Sequence, residues 1–321
     1  MDWIVPMEPL LTLSVPDDEV FVHQVKWDGI RGLCYIEDGR VRVFTKKGRE
    51  RTRFYPELFE LPALIKGHSA VLDGEIIILN EELKPSFQLS LIRERVTNVE
   101  KASYYARKYP IQYIVFDLLA LNGQPITHKP LEERSALLRD HLKASSITAI
   151  TDDFNNGKEL FSLMKERGWE GVVSKKKDSP YLPGKAHQQW FKTKLSRRIL
   201  AIVTGVTLRE GNPNALVLAI LGEEGLVYIG RASIGLTQQH FMLLKDNIPI
   251  LKSDKNSLNI QKTSLVTNNA RDLKDVVWFK PQLTVWVSFL EWTSDGGIRH
   301  PKILGFTPLG IEEANGKEYV E

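Results

Sequence analysis

The chain contains a single cysteine, Cys34, so no disulfide can form within it. Its apolar neighbours place this thiol in a core and in a reducing compartment. No apolar run approaches the roughly 20 residues that a membrane-crossing helix needs, so no membrane partner is expected. The opening segment MDWIVPMEPL lacks a basic region followed by a long apolar stretch, and no secretory signal is expected. Internal repeats and low-complexity segments are missing. So is any G-x-x-x-x-G-K-[ST] motif, which removes the P-loop as a means of holding a nucleotide. Neither sign of charge dominates: 43 Lys and Arg stand against 40 Asp and Glu, a net charge of +3. That total does not announce a nucleic-acid binder, and local charge density carries the information instead. Together these absences point to a cytoplasmic enzyme or binding protein.

A length of 321 residues suffices for two domains, each with its own core. Residues 33–36 and 41–45, joined by Glu37-Asp38-Gly39, read as a β-hairpin because Asp-Gly favours the tight turn. Residues 70–79 and 111–121 carry apolar runs and read as buried strands. Residues 130–144 place Leu131, Leu137, Leu138 and Leu142 at helical spacing, with Pro130 near the start. A second helix over 157–167 stops at Gly168, and a strand resumes over 171–174. After Lys194 the pattern changes. Ser196-Arg197-Arg198 reads as a polar connector and candidate hinge. Short strands follow over 199–208, 216–221, 226–229 and 283–292, the pattern of a small β-barrel. The expected fold class is α+β, with domains over 1–196 and 197–321.

Three basic clusters stand out. Residues 40–53 hold Arg40, Arg42, Lys46, Lys47, Arg49, Arg51 and Arg53 against one acid, Glu50. The others are Lys175-Lys176-Lys177 and the group Lys192, Lys194, Arg197 and Arg198. Such patches fit a path for phosphates, although each taken alone is more simply solvated surface charge.

The sharpest feature is Lys26-Trp27-Asp28-Gly29-Ile30-Arg31, which follows a strand-like Phe21–Val25. K-x-D-G-x-R arises by chance in only about a few chains per thousand of this length. A lysine amine attacks phosphorus only when neutral, and nearby positive charge or a metal ion supplies the free base. Glycine permits a tight backbone turn beside a nucleotide. Arginine offers a planar fork for phosphate. Further along lie Asp73-Gly74-Glu75 on an apolar strand, Phe116-Asp117, Glu170-Gly171-Val172-Val173 and Trp190-Phe191-Lys192-Thr193-Lys194. On a strand, Lys192 and Lys194 share one face.

In this order the residues resemble the covalent nucleotidyltransferase superfamily of ATP-dependent DNA ligases, RNA ligases and mRNA capping enzymes. The resemblance covers residues 21–194. It implies an ATP-grasp-like adenylation domain followed by an OB-fold barrel. It implies ATP as cofactor, with AMP carried on Lys26. Asp28 and Arg31 belong to the same motif, Gln24 contacts adenine, and the Phe116 ring stacks on the base. Glu75 binds the ribose or helps hold Mg²⁺ or Mn²⁺, Glu170 serves that metal, and Lys192 and Lys194 reach the α-phosphate. The stretch Phe289-Leu290-Glu291-Trp292-Thr293-Ser294-Asp295-Gly296-Gly297-Ile298-Arg299-His300-Pro301 is similar to the barrel of bacterial end-joining ligase D proteins. That similarity implies nicked or broken duplex DNA as substrate, Ku and a fused or associated polymerase domain as partners, and a place on the nucleoid. Arg42, Lys47, Arg49, Arg51 and Arg53 would then lie on DNA phosphates, and the barrel would close over ATP and rotate to clamp the duplex.

Three positions depart from the family pattern. Lys46 follows Thr45 where an arginine is usual, giving a point charge in place of a fork. Position 24 is Gln where many ligases have Glu. The C-terminal motif that orients the leaving pyrophosphate is not recognisable over residues 303–310. An RNA ligase, a capping-type enzyme or a non-catalytic DNA-binding scaffold are the alternative readings.

Overall fold

The computed structural model describes residues 3–184, 186–258, 273, 275–293 and 296–320, so Ser294 and Asp295 of the ligase D-like stretch lie outside the described residues. The chain divides into two units, Met1–Leu195 and Ser196–Glu321. The first unit begins with β1 (Glu8–Thr12), β2 (Phe21–Val25), β3 (Ile30–Glu37) and β4 (Arg40–Thr45). It continues through α1 (Leu61–Leu64), β5 (Ser69–Ile77), α2 (Phe87–Glu94), α3 (Ala102–Lys108), β6 (Gln112–Leu121) and β7 (Gln124–Pro125). Then come α4 (Leu131–His141), β8 (Thr148–Ile150), α5 (Gly157–Arg167), β9 (Gly171–Lys176) and β10 (Ala186–Lys194). One sheet has the order β1-β10-β9-β2; the other runs β4-β3-β5-β6-β7, with β8 parallel on β6.

The hairpin of β3 and β4 turns on Asp38 and Gly39, both at positive φ (49° and 73°), as the Asp-Gly signal requires. Alternate residues of the second sheet enter different cores. Leu33, Val71 and Leu119 pack toward Trp190 of the first sheet. Cys34, Leu72 and Val115 pack under the helices against Leu61 and Leu138. A strand buried on both faces reads as a continuous apolar run, which explains residues 70–79 and 111–121. Each fully buried Leu or Val here is worth roughly 1.5–3 kcal/mol. Cys34 is fully buried, and burial pushes its thiol up to about 12. Helix α5 begins at Asn156, whose side chain accepts from the Glu159 N–H, and ends at Gly168 in the left-handed conformation.

The second unit comprises β11 (Arg197–Arg209), β12 (Asn212–Gly222), β13 (Gly225–Ala232), α6 (Gln238–Leu251), β14 (Val276–Phe289), β15 (Lys302–Thr307) and β16 (Glu318–Val320). Its ladder runs β13-β12-β11-β14-β15, with β16 on β11, and stays open among the described residues. This is an OB-fold-type domain rather than a closed barrel. Arg197 and Arg198 are not a connector: they open β11, register with Phe289 and Ser288, and Arg197 is paired to Glu318 at 2.9 Å. Helix α6 was not anticipated from the sequence. Its start is capped by Thr237 and His240, and Pro249 interrupts its last turn. Among the described residues no helix is long and apolar enough to cross a membrane.

Candidate active site

The end of β2 delivers Lys26 to a cavity of about 670 Å³ in the first unit. The Lys26 N–H donates to the Gly171 carbonyl at 2.9 Å, which fixes the lysine beside the start of β9. Gly171 has φ +141°, and a β-carbon there would meet the Thr193 carbonyl oxygen at 2.1 Å. No other residue fits between these strands. Gly29 is required for a different reason than the expected tight turn. Its β-carbon would lie 2.3 Å from the Ile76 carbonyl oxygen, so the need is close packing on β5. Trp27 anchors the motif on Trp169 (5.4 Å between rings) and donates its indole N–H to Thr151 Oγ1 at 3.2 Å.

Glu170 joins two lysines. Lys26 Nζ lies 2.6 Å from Glu170 Oε2, and Lys194 Nζ lies 2.7 Å from Oε1. Burial opposes ionisation of Glu170, but the two ammonium groups outweigh it and hold its carboxyl below the usual range. Glu75, on β5, lines the cavity. It makes no hydrogen bond or ion pair among the described residues, and burial pushes its carboxyl up from 4.5 to about 8. Lys26 and Arg31 draw that value down, while the charges of Glu170 and Asp28 add to it. Lys192 also lines the cavity, with its pKa lowered by burial and then by Lys194 and Lys26.

The Glu75 environment gives a signed pH dependence. Below pH 4.5 the carboxyl is neutral folded or unfolded and carries no penalty. Between 4.5 and about 8 the unfolded chain ionises while the native group resists, so stability is lost through that window. Glu75→Gln cannot ionise. Its melting temperature should exceed that of the unmodified chain by a margin that grows from pH 4.5 to 8 and then levels, on the order of 5 °C. Melting curves across that range check this, and a margin independent of pH would contradict it.

Other expected site residues fall into three groups. Gln24, Lys46, Phe116, Lys47 and Arg49 line the same cavity. Lys46 is held by Glu8 at 2.8 Å. Lys194 reaches the site through Glu170, and Asp28 acts on Glu75 by charge. Arg31 lines the cavity, but its fork is already engaged. Nε and Nη2 grip both oxygens of Asp73 at 2.9 and 2.5 Å, and Nη1 donates to the Met7 carbonyl at 2.6 Å. The phosphate fork expected there is thus spent on positioning. Lys175, read as part of a surface cluster, is a buried cavity residue instead. Its Nζ lies 4.6 Å from the Phe116 ring centroid and 4.2 Å from that of Trp190, and burial lowers its pKa to about 8. The available signal was strand alternation, because Val173 and Lys175 lie on one face of β9 and both line the cavity.

The basic ribbon divides between surface and core. Arg42, Lys47, Arg49 and Arg53 are exposed. Arg51 is fully buried and cannot contact DNA. Its Nη2 donates to the carbonyls of Arg93, Glu94 and Val96 at 3.3, 2.6 and 2.9 Å, and Nε reaches Glu94 Oε2 at 3.2 Å. These carbonyls end or follow α2; that of Arg93 also accepts from the Val96 N–H at 3.3 Å, whereas those of Glu94 and Val96 lie past the last helical N–H donors. Arg51 is a C-terminal cap for α2 supplied from the segment that follows β4.

The chain matches the family model for the ATP dependent DNA ligase domain over residues 12–194 and the model for the ATP dependent DNA ligase C terminal region over 209–308. It is 31% identical over 287 residues to the multifunctional non-homologous end joining protein LigD of Mycobacterium bovis, covering 88% of this chain and 35% of that protein. The chain thus spans about a third of the length of that multifunctional relative. It is also 31% identical over 208 residues to the prophage-derived DNA ligase-like protein LigB of Bacillus subtilis, covering 64% of this chain and 73% of LigB. A solved mycobacterial DNA ligase D complexed with ATP and MES has 28% identity and a TM-score of 0.52, with 97% of each chain covered.

Proposed function

The chain belongs to the ATP-dependent DNA ligase family, and from that premise we propose that it seals 5′-phosphate/3′-hydroxyl breaks in duplex DNA through AMP carried on Nζ of Lys26. The observation that carries the reading is the convergence on one cavity of Lys26, the Phe116 ring, the Lys192 cation and the Glu75 carboxyl group. One nucleotide site needs all of them: nucleophile, base platform, phosphate cation and metal acid.

Lys26 Nζ passes its proton to solvent, leaves Glu170 and forms a bond to the α-phosphorus of ATP as the bond to pyrophosphate breaks and pyrophosphate departs. The AMP then passes from Nζ to a DNA 5′-phosphate. The 3′-hydroxyl attacks that activated phosphate and AMP leaves. Each transfer builds negative charge on oxygens, which the cations of Lys192, Lys46, Lys47 and Arg49 line the cavity to meet. A divalent ion fits the donor set. Glu75 is a carboxyl group without a hydrogen-bond or ion-pair partner among the described residues, and Glu170 lies close enough to disfavour its ionisation. Mg²⁺ typically uses one or two carboxylates plus substrate phosphates, a demand that two acids can meet. Bound there by Glu75 and Glu170, Mg²⁺ or Mn²⁺ would supply Lewis-acid stabilisation of phosphate charge.

Similarity to a non-homologous end joining protein supports a role at double-strand breaks; Ku and a polymerase domain are part of the proposal as its partners. The test is a duplex with one nick and a labelled 5′-phosphate, incubated with Mg²⁺ or Mn²⁺ and either ATP or GTP. Sealing with ATP, little with GTP, and none at a 5′-hydroxyl nick is the expected result. Tight DNA binding without sealing would leave the scaffold reading.

A further inference from the structure

Resting on that function, we propose that Asp153, held by Arg139, sets the nucleotide-base specificity of the site by fixing the orientation of the Gln24 amide. An amide places a donor and an acceptor on one planar head, and a rotation by half a turn exchanges them. At a base-reading position that rotation reverses the specificity. A glutamate has no such ambiguity, because both its oxygens accept. The glutamine at position 24 therefore needs a second residue to hold its head one way.

The structure supplies one. Gln24 Nε2 donates to Asp153 Oδ1 at 2.7 Å. The other oxygen of Asp153 accepts from Arg139 Nη2 of α4. A carboxylate ion-paired to a guanidinium only accepts, so the Gln24 NH₂ must face it. Backbone pairing sets the register. The His23 N–H donates to the Phe154 carbonyl at 2.9 Å and the Phe154 N–H returns to His23 at 2.8 Å, which lays residue 153 beside residue 24. Gln24 is 3% exposed and lines the cavity. No donor among the described residues reaches its carbonyl oxygen, which is left for the ligand. That oxygen accepts from an exocyclic amine, as on C6 of adenine. It repels the C6 oxo group of guanine or hypoxanthine. Asp153 and Arg139 are positioning residues that act through Gln24.

The test follows covalent labelling of the full chain by ATP, GTP and ITP, with KM and kcat separated. Asp153→Ala frees the amide to rotate. It should raise KM for ATP about tenfold with little change in kcat, and lower the preference for ATP over ITP and GTP by about tenfold. Gln24→Glu combined with Asp153→Ala should restore the ATP preference, because a carboxylate accepts in either orientation. Asp153→Ala with unchanged KM and preference would overturn the proposal, as would a double variant no better than Asp153→Ala alone. Wild-type protein that takes no label from any nucleotide, even after pyrophosphate treatment, would overturn the function it rests on and the inference with it.

Discussion

Lys26→Ala is expected to abolish the covalent AMP adduct, lowering it by at least about a thousandfold, because no other group replaces a deleted nucleophile. The surrounding structure should survive the change. Glu170 keeps Lys194 at 2.7 Å, so its carboxylate is not left buried and unpaired. The Lys26 backbone bond to Gly171 is unaffected by the side chain. Binding of nicked duplex should stay within about threefold, because salt-dependent phosphate contacts come from other cations. A nick already carrying AMP on its 5′-phosphate should still be sealed measurably, since that final step does not use the amine. Gel separation of labelled protein, binding titrations and a sealing assay on the preactivated nick report the three quantities. An undiminished adduct on the variant would remove Lys26 from the mechanism.

The second large effect falls on stability. Arg51→Ala should cost about 3–5 kcal/mol, since it strands the carbonyls of Glu94 and Val96 and leaves the Glu94 carboxylate without its cation. It also removes the guanidinium packed 3.8 Å from the Phe54 ring centroid. For a unit of this size that loss corresponds to a fall in melting temperature on the order of 10 °C. Affinity of the remaining folded protein for nicked DNA should be unchanged. Arg49→Ala should do the reverse: melting within about 1 °C of wild type, but weaker DNA binding with a shallower salt dependence. Equal losses of DNA affinity in both variants at low salt would contradict this division.

These two arginines show where the sequence stops being informative. Within β4, alternation predicts that Arg40 and Arg42 face out and Val41 and Val43 face in, and they do. Past Thr45 the strand ends, and period-two reasoning ends with it. Whether Arg51 points inward depends on the C-terminus of α2, some forty residues later, which no local pattern near Arg51 reveals. The hairpin turn, the two-sided strands and the cap of α5 were legible because each depends on residues within one element. Lys26, Glu75, Phe116, Glu170 and Lys192 were legible because their order along the chain is itself the signal. The partner of Gln24 was not, because Asp153 meets it only through strand pairing across 129 positions. Lys175 is hidden for a related reason. Three consecutive lysines look like solvated charge, and only the alternation of β9 separates the buried one from its neighbours.

The most direct test of the account is to locate the AMP. The protein is first treated with pyrophosphate, then incubated with ATP and Mg²⁺ or Mn²⁺, digested, and its peptides are read by mass spectrometry. AMP on the peptide containing Lys26, at Lys26 Nζ and nowhere else, is the predicted result. AMP on Lys175, Lys192 or any other side chain would contradict it.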